Sequence, residues 1–255
     1  MILDDILKSK REEVRLLREK LKLPVKQSRL PKLRDFKKAI SRSAISLIAE
    51  VKAASPSAGV IIKEYSPDAL ARAYEKAGAS AISVLTDQSY FKGSIDDLIK
   101  VRKAVRLPIL RKDFIIDEAQ IYESRLAGAD AVLLIVRILE QEQLENFIKL
   151  INDLDMTALV EAHSIKEAKA ALDAGSEVIG INNRDLNTLK IDLSTTVNII
   201  NELPQLMKKV IVAESGITEK SQVELFSSIG IKAVLVGEAL LKSPDAGAKI
   251  KELIG

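Results

Sequence analysis

The chain of 255 residues contains no cysteine and no tryptophan, and its one histidine is His163. Without cysteine there can be no disulfide framework, no thiolate nucleophile and no cysteine metal site. A single histidine also cannot form a histidine-rich cluster, so we expect no metal centre. Aromatic residues are scarce, at 4% of the chain, whereas aliphatic residues bring the hydrophobic fraction to 47%, ample for a large core.

Long apolar stretches and a strong net charge are also missing. No stretch approaches the ~18 apolar residues needed to span a bilayer, and the N-terminal residues lack the apolar block of a signal peptide. We therefore predict a cytoplasmic protein with no membrane partner. The formal net charge of +3 is small for this length and does not indicate a nucleic-acid partner. Abundant Lys, Glu and Ile without Cys or Trp favour a thermostable protein.

Eight short apolar segments recur along the chain, each followed by a segment with helical periodicity. They begin near Leu47, Ala81, Ile109, Ala131, Ala158, Val178, Val210 and Ala233. Segments so rich in aliphatic residues are typical of parallel strands buried on both faces. Eight βα units predict a single α/β domain over residues 1–255, whose residues 47–255 form a (β/α)8 (TIM) barrel. A doubly wound open sheet is the structural alternative.

The helical segments can be bounded from the same periodicity. Helices are predicted over residues 67–77, 94–105, 117–127, 140–154, 164–174, 194–203, 219–228 and 239–253. Residues 1–46 precede the repeat and contain an amphipathic helix over residues 2–21 and a short helix over 32–41. They are too few to form a core of their own, so we expect an N-terminal helical extension packed on the barrel. Its basic residues alternate with acids, which indicates a solvated helix face.

Nearly every predicted strand ends on a charged or polar residue, where the active site of such a barrel lies. Because lysine and glutamate are costly to bury, their convergence on one rim suggests chemistry. Side chains alternate along a strand, so Glu50 and Lys52 share a side. They could form an ion pair that merely closes the barrel, or a lysine tuned by a carboxylate.

The third and fifth predicted strands supply a second pair. Lys112 has the parity of an inward-facing residue, whereas its neighbours Arg111 and Asp113 are expected to face outward as a surface pair. Glu161 ends the fifth strand, where it can form a usable acid/base pair with Lys112. His163 lies beyond the strand, and we interpret it as structural rather than chemical.

Glycines mark the loops after the seventh and eighth strands, a common location for the phosphate site of these barrels. Gly216 and Gly237 allow close approach of the backbone, and helix N-termini supply amide donors. Tight βα turns are the plainer interpretation of the same glycines, and each motif alone is unspecific.

Taken together and in order, however, the motifs closely resemble those of the indole-3-glycerol phosphate synthase family along essentially the whole chain. They are Glu50-Val51-Lys52 with Ser55-Pro56-Ser57, Tyr90-Phe91-Lys92-Gly93, Lys112-Asp113-Phe114, Leu159-Val160-Glu161, Gly180-Ile181-Asn182 with Arg184-Asp185-Leu186, Ala213-Glu214-Ser215-Gly216 and Val236-Gly237. The resemblance implies a cofactor-free lyase of tryptophan biosynthesis. Its substrate would be 1-(2-carboxyphenylamino)-1-deoxyribulose 5-phosphate, closed to indole-3-glycerol phosphate with loss of carbon dioxide and water.

The resemblance also implies roles for individual residues. Lys112 would be the general acid, Lys52 would neutralise the substrate carboxylate and assist dehydration, Glu161 would be the partner acid/base, and Glu50 would tune the lysines. The sugar would be positioned by Asn182, Arg184, Glu214 and Ser215. The phosphate would be bound by Ser55, Gly216, Gly237 and the amide of Glu238. The aromatic ring would contact Phe91, Phe114, Leu133 and Leu186. The division of acid and base roles among Lys52, Lys112 and Glu161 stays open. The expected partner is the small phosphorylated substrate, and the expected state is a monomer or weak homodimer.

Three positions depart from the family pattern. The family often has basic residues at Ala53 and Ala58 and a serine at Ala239, so substrate affinity and phosphate contacts are in question. Two other functions remain as alternatives. A phosphoribosylanthranilate isomerase usually pairs a cysteine with an aspartate, and this chain has no cysteine. A barrel that only binds an anionic metabolite has no need for the acid/base set of Lys52, Lys112 and Glu161.

Overall fold

Eight parallel strands form a closed barrel. The computed structural model describes residues 2–21, 30–42, 45–55, 59–60, 65–185 and 188–255, without the side chains of Ile2, Ser55 and Val60. The strands are β1 (Ser46–Val51), β2 (Ala81–Leu85), β3 (Ile109–Lys112), β4 (Ala131–Ile135), β5 (Thr157–Ala162), β6 (Val178–Asn182), β7 (Val210–Glu214) and β8 (Ala233–Val236). Each pairs in parallel with the next and β8 pairs with β1. The predicted barrel is confirmed, and the open sheet is wrong.

The first two helices precede the first strand, and the others follow the strands around the outside of the barrel. They are α1 (Ile2–Lys20), α2 (Phe36–Ala39), α3 (Pro67–Ala77), α4 (Ile95–Ala104), α5 (Glu118–Ala127), α6 (Gln141–Asp153), α7 (Ile165–Asp173), α8 (Ser194–Glu202), α9 (Lys220–Ser228), α10 (Glu238–Lys242) and α11 (Ala246–Ile254). The single helix predicted over 239–253 is wrong. Ser243, which precedes Pro244, is extended with ψ 138°, as proline requires of its predecessor. Asp245 then caps α11 by accepting a hydrogen bond from the amide of Ala248.

Strand parity divides the apolar residues between two layers. Ile48, Leu110, Leu159 and Val212 point into the barrel and belong to one buried cluster. Their neighbours along the strands, such as Ala49, Val160 and Ile211, pack beneath the helices in a second cluster. Two residues beyond the interior four, on the same strands and with the same parity, stand Glu50, Lys112, Glu161 and Glu214. The interior is therefore apolar at depth and charged at its carboxyl end.

The N-terminal extension reaches both ends of this interior. Phe36 and Ile40, at α2, share the interior cluster with Ala131 and Val178, where strands begin. They therefore close the amino end of the barrel. The predicted helix over 32–41 is shorter than expected, because Asp35 caps it only at Phe36.

Helix α1 lies at the opposite, carboxyl end. Its Leu3 and Ile6 belong to the interior cluster together with Phe114 and Leu235, which lie beyond or near the ends of their strands. Among the described residues, none of the helices combines the length and the apolar character that crossing a bilayer requires.

Two expectations about surface charge are wrong. Lys10 of α1 is 1% exposed, and its Nζ lies 2.9 Å from Asp87 and 2.8 Å from Asp113. Arg111 and Asp113 are likewise buried and paired at 3.1 Å. The outward face of β3 is covered by helices instead of water: Arg111 donates to the carbonyl of Gln120 in α5, and α1 supplies Lys10. Charge alternation along α1 could not reveal this, because one lysine of the series faces inward.

Candidate active site

A cavity of about 360 Å³ opens at the carboxyl end of the barrel, within the usual range for a small-molecule site. Predicted site residues that line it are Glu50, Lys52, Phe91, Lys112, Phe114, Leu133, Glu161, Asn182, Arg184, Glu214, Ser215, Gly216, Gly237 and Glu238. Leu186 and Ala58 lie outside the described residues, as does the side chain of Ser55. Ala239 lines the cavity, whereas Ala53 is buried and is absent from its lining.

Lys112 lies at the centre of the charged layer. Its Nζ donates to Oε2 of Glu161 at 2.8 Å and to Oε2 of Glu214 at 3.2 Å. The three side chains come from β3, β5 and β7, whose equal parity directs them toward the barrel axis. Both carboxylates are almost fully buried, so these contacts are shielded from bulk water and are stronger than on a surface.

This arrangement fixes the charge of two groups. Burial lowers the pKa of Lys112, but the carboxylates of Glu161 and Glu214 more than offset this and raise it above its ordinary value. Burial raises the pKa of Glu161, yet Lys112 and His163 bring it well below its ordinary value. At neutral pH, Lys112 is therefore an ammonium and Glu161 a carboxylate, a proton donor and a proton acceptor in direct contact.

Glu214 differs from Glu161 although both touch the same lysine. Burial raises the pKa of Glu214, Lys112 lowers it, and the negative charge of Glu161 raises it further. Together they raise the pKa of Glu214 to about 8. Its Oε1 has no hydrogen-bond partner among the described residues. Two carboxylates that share one ammonium cannot both ionise cheaply, so Glu214 retains its proton at neutral pH.

Glu50 and Lys52 form the second lysine–glutamate pair, at 2.7 Å. Both line the cavity, and the lysine is the more exposed of the two. Their pairing agrees with the shared side predicted from strand parity, and it places a second ammonium at the cavity wall.

Loops after β6, β7 and β8 form the far end of the cavity. Ser215 and Gly216 both adopt left-handed backbone conformations, with φ of 66° and 81°. A non-glycine residue in this region is uncommon and is typical of functional turns. Across the cavity, Arg184 donates to the carboxylate of Glu238 at 3.1 Å. Lys242 also pairs with Glu238 at 2.7 Å, so two cations flank this carboxylate.

Apolar side chains line the opposite wall. The rings of Phe91 and Phe114 lie 6.3 Å apart, centroid to centroid, and are tilted by 40°. Leu3 and Ile6 of α1 also line the cavity, and sequence reasoning did not assign them to the site. Their signal was present as the apolar face of an amphipathic helix, but such a pattern does not say which surface it covers.

A buried acid/base set at the carboxyl end of a (β/α)8 barrel defines a barrel enzyme of the class whose chemistry is carried by strand-end side chains. Within that class, the family model described as indole-3-glycerol phosphate synthase matches residues 3–253. The chain belongs to the indole-3-glycerol phosphate synthase family.

Relatives from several bacteria agree with this membership. The chain is 47% identical to indole-3-glycerol phosphate synthase of Aquifex aeolicus over 87% of this chain and 86% of that protein. It is 44% identical to the synthase of Caldanaerobacter subterraneus subsp. tengcongensis over 100% of this chain and 98% of that protein. Among solved structures, thiamine phosphate pyrophosphorylase from Pyrococcus furiosus superposes with a TM-score of 0.61 at 17% identity, covering 82% of this chain and 93% of that one. This last likeness supports the fold alone.

Proposed function

We propose that this chain catalyses the reaction of its family, the closure of 1-(2-carboxyphenylamino)-1-deoxyribulose 5-phosphate to indole-3-glycerol phosphate. The reaction belongs to tryptophan biosynthesis and makes the protein a carboxy-lyase. The observation that carries the proposal is the contact of Lys112 with Glu161 and Glu214 inside the cavity. A site that only binds an anion would gain nothing from the ionised Glu161 and the protonated Glu214 buried beside its lysine, since Glu161 neutralises the ammonium and repels the ligand.

Shape and polarity favour one orientation of the substrate in the cavity. Its aromatic ring would lie against Phe91, Phe114 and Leu133, whose surfaces exclude water. Its phosphate would lie at the far end, near the backbone amides of Gly216 and Gly237, where the glycines permit close approach. The reacting carbons between these two ends would then lie beside the lysine–glutamate cluster.

The first bond forms between the aromatic ring carbon and the ribulose carbonyl carbon. Lys112 would donate its proton to the carbonyl oxygen as it becomes a hydroxyl, and the protonated Glu214, 3.2 Å from the lysine, would be close enough to return a proton to it. The substrate carboxylate, neutralised by Lys52, would leave as carbon dioxide. The electron pair of the broken bond would restore the aromaticity of the ring. Loss of water would follow. Of Lys52 and Glu161, one would give a proton to the departing hydroxyl and the other would remove a proton from the adjacent carbon.

Asn182 and Arg184 would help to hold the sugar. The Oδ1 of Asn182 accepts a hydrogen bond from the amide of Arg184 at 3.0 Å, which orders the turn after β6. The contact of Arg184 with Glu238 leaves the guanidinium beside the sugar and phosphate end. Both residues thus orient the substrate without taking part in proton transfer.

The test is conversion of the anthranilate ribulose phosphate, followed by the fluorescence of the indole product and by release of carbon dioxide. The proposal predicts both products in equal amounts from the wild type. Lys100→Ala serves as a control, because Lys100 is exposed and pairs only with Asp97 on the same helix among the described contacts. Tight substrate binding without either product from the wild type would instead establish a barrel that binds without catalysing.

A further inference from the structure

His163, which the sequence left outside the site, lies against the catalytic cluster. It follows β5 directly, and its ring is 2% exposed. Its Nε2 lies 3.2 Å from Oε1 of Glu161, while Oε2 of the same carboxylate contacts Lys112 at 2.8 Å. Glu161 is therefore held between two cationic groups, one toward the cavity and one away from it.

The other ring nitrogen is held equally closely. Nδ1 of His163 lies 3.1 Å from Oε2 of Glu167, which also accepts the backbone N–H of His163 at 2.8 Å. Glu167 stands in the first turn of α7, where its own amide donates to the cap residue Ser164. Arg137 donates to its second oxygen at 2.9 Å. Each of these contacts reduces the freedom of the imidazole to rotate.

These groups form one line of alternating charge from the protein exterior to the cavity. The order is Arg137, Glu167, His163, Glu161 and Lys112. Members of such a line polarise one another, and removal of any one takes a partner away from the buried charge of each neighbour. The aspartate after β6, Asp185, approaches the outer arginine to 4.0 Å.

We propose that His163, anchored by Glu167, is a positioning residue that holds the Glu161 carboxylate in its orientation toward Lys112 and keeps it ionised. The inference deepens the proposed function and rests on it, because it requires Glu161 to act as the acid/base partner. His163 itself is separated from the cavity by Glu161 and transfers no proton to the substrate.

Electrostatics agree with this geometry. Burial lowers the pKa of His163, but contact with the carboxylates of Glu161 and Glu167 raises it to about 9. The ring is therefore protonated on both nitrogens at neutral pH. Nδ1–H lies within hydrogen-bonding distance of Glu167, whereas Nε2–H faces Glu161 at 3.2 Å as an ion-pair contact without hydrogen-bond geometry. Without this charge, the ionised form of Glu161 would be opposed by burial and supported by Lys112 alone.

The kinetic test compares His163→Gln and Glu167→Gln with the wild type, in kcat, KM and pH profile. We expect kcat to fall roughly 10- to 100-fold, the scale on which misplacing a catalytic group acts, with KM changed by less than about 3-fold. The acidic limb of the profile should move to higher pH, because Glu161 loses support for its ionised form. Glu177→Gln is the matched control, since Glu177 pairs with Lys37 and Lys209 at the surface.

A double-mutant cycle separates positioning from general destabilisation. In a Glu161→Gln background, His163→Gln should have little further effect on kcat, because its action passes through Glu161. Additive losses, or a pH profile that does not move, would overturn the inference. Glu167→Gln keeps the test decisive if the histidine variant does not fold, because it leaves the buried ring in place.

The single histidine permits a readout without substrate. Imidazole NMR of the untagged chain shows one residue, and its titration midpoint should fall in both Glu161→Gln and Glu167→Gln but not in Glu177→Gln. Unchanged midpoints would contradict the contacts on which the inference rests. A wild type without turnover would overturn the proposed function itself, whereas wild-type turnover with unaffected His163 and Glu167 variants would overturn this inference alone.

Discussion

Lys10 of the N-terminal helix and Asp113, the residue that follows Lys112, form a buried ion pair of 2.8 Å. Asp87, from the loop after β2, joins the same ammonium at 2.9 Å. Burial raises the pKa of Asp113, but Lys10 and Arg111 bring it down to about 2. The pair therefore ties α1, whose Leu3 and Ile6 line the cavity, to the strand that carries the central lysine.

Lys10→Met should destabilise the fold by about 3–5 kcal/mol, because it leaves two buried carboxylates without their shared cation. Chemical denaturation measures the free energy of unfolding. Lys8→Met is the matched control, since Lys8 is exposed on the same helix. Equal stability of the two variants would show that the buried cluster is not maintained in solution.

Gly180, in β6, and Gly237, directly after β8, make room for the carboxylates of Glu214 and Glu50. A Cβ at Gly180 would collide with the carboxylate of Glu214, and one at Gly237 would lie 2.5 Å from Oε1 of Glu50. We expect Gly180→Ala and Gly237→Ala to remain folded and to lose about 10-fold or more in kcat, because the displaced carboxylates no longer meet their lysines.

Gly247→Ala provides the control for these two variants. Gly247 lies in α11, outside the cavity lining, and its added Cβ would meet only side chains. Near-wild-type kcat in all three variants would mean that the glycines do not set the positions of Glu50 and Glu214.

The protonation of Glu214 gives a pH-dependent stability. Its pKa is about 8 in the folded chain, against 4.5 ordinarily. Between pH 4.5 and pH 8 the folded state therefore binds a proton that the unfolded state has lost. Stability at this site is therefore present below about pH 4.5 and is lost as pH rises toward 8. Relative to Glu214→Gln, which stays neutral, the wild type should lose roughly 2 kcal/mol or more between pH 5 and pH 9. A constant difference in unfolding free energy across this range would show that Glu214 is ionised throughout.

Ala239→Ser tests the departure at the phosphate end. Ala239 lines the cavity directly after Glu238, where the family often has serine. The added hydroxyl should lower KM and the inhibition constant of inorganic phosphate by a few-fold, about 1 kcal/mol for one hydrogen bond, and leave kcat nearly unchanged. If both constants stay the same, the phosphate does not bind beside this position.

Much of the architecture follows from local patterns. Strand starts near Leu47 and Ala158 differ from the observed Ser46 and Thr157 by one residue, because buried parallel strands are continuous aliphatic runs that stand out in the sequence. Parity also placed Glu50 beside Lys52. It could not place Lys10, because the partners of a helix are set by tertiary packing that leaves no local signal.

Less of the candidate site than of the fold could be predicted from the sequence. Parity directed Arg111 outward correctly but could not tell water from a covering helix, so its burial against α5 was missed. The sequence does not place His163 beside Glu161 and Glu167, because a lone histidine has no informative spacing. The two carboxylates become its neighbours only when β5 continues into α7. The contributions of Leu3 and Ile6 to the cavity likewise depend on where α1 packs.

We propose that Lys112 acts as the acid of the ring-closing step, and a single comparison is the sharpest test of this role. Turnover and substrate dissociation constant are measured for Lys112→Ala beside the wild type and Lys100→Ala. We expect kcat to fall roughly 100-fold or more in Lys112→Ala, because a general acid is lost, while the substrate dissociation constant changes only a few-fold. Near-full turnover by Lys112→Ala, with the fold intact, would show that Lys112 is not the acid.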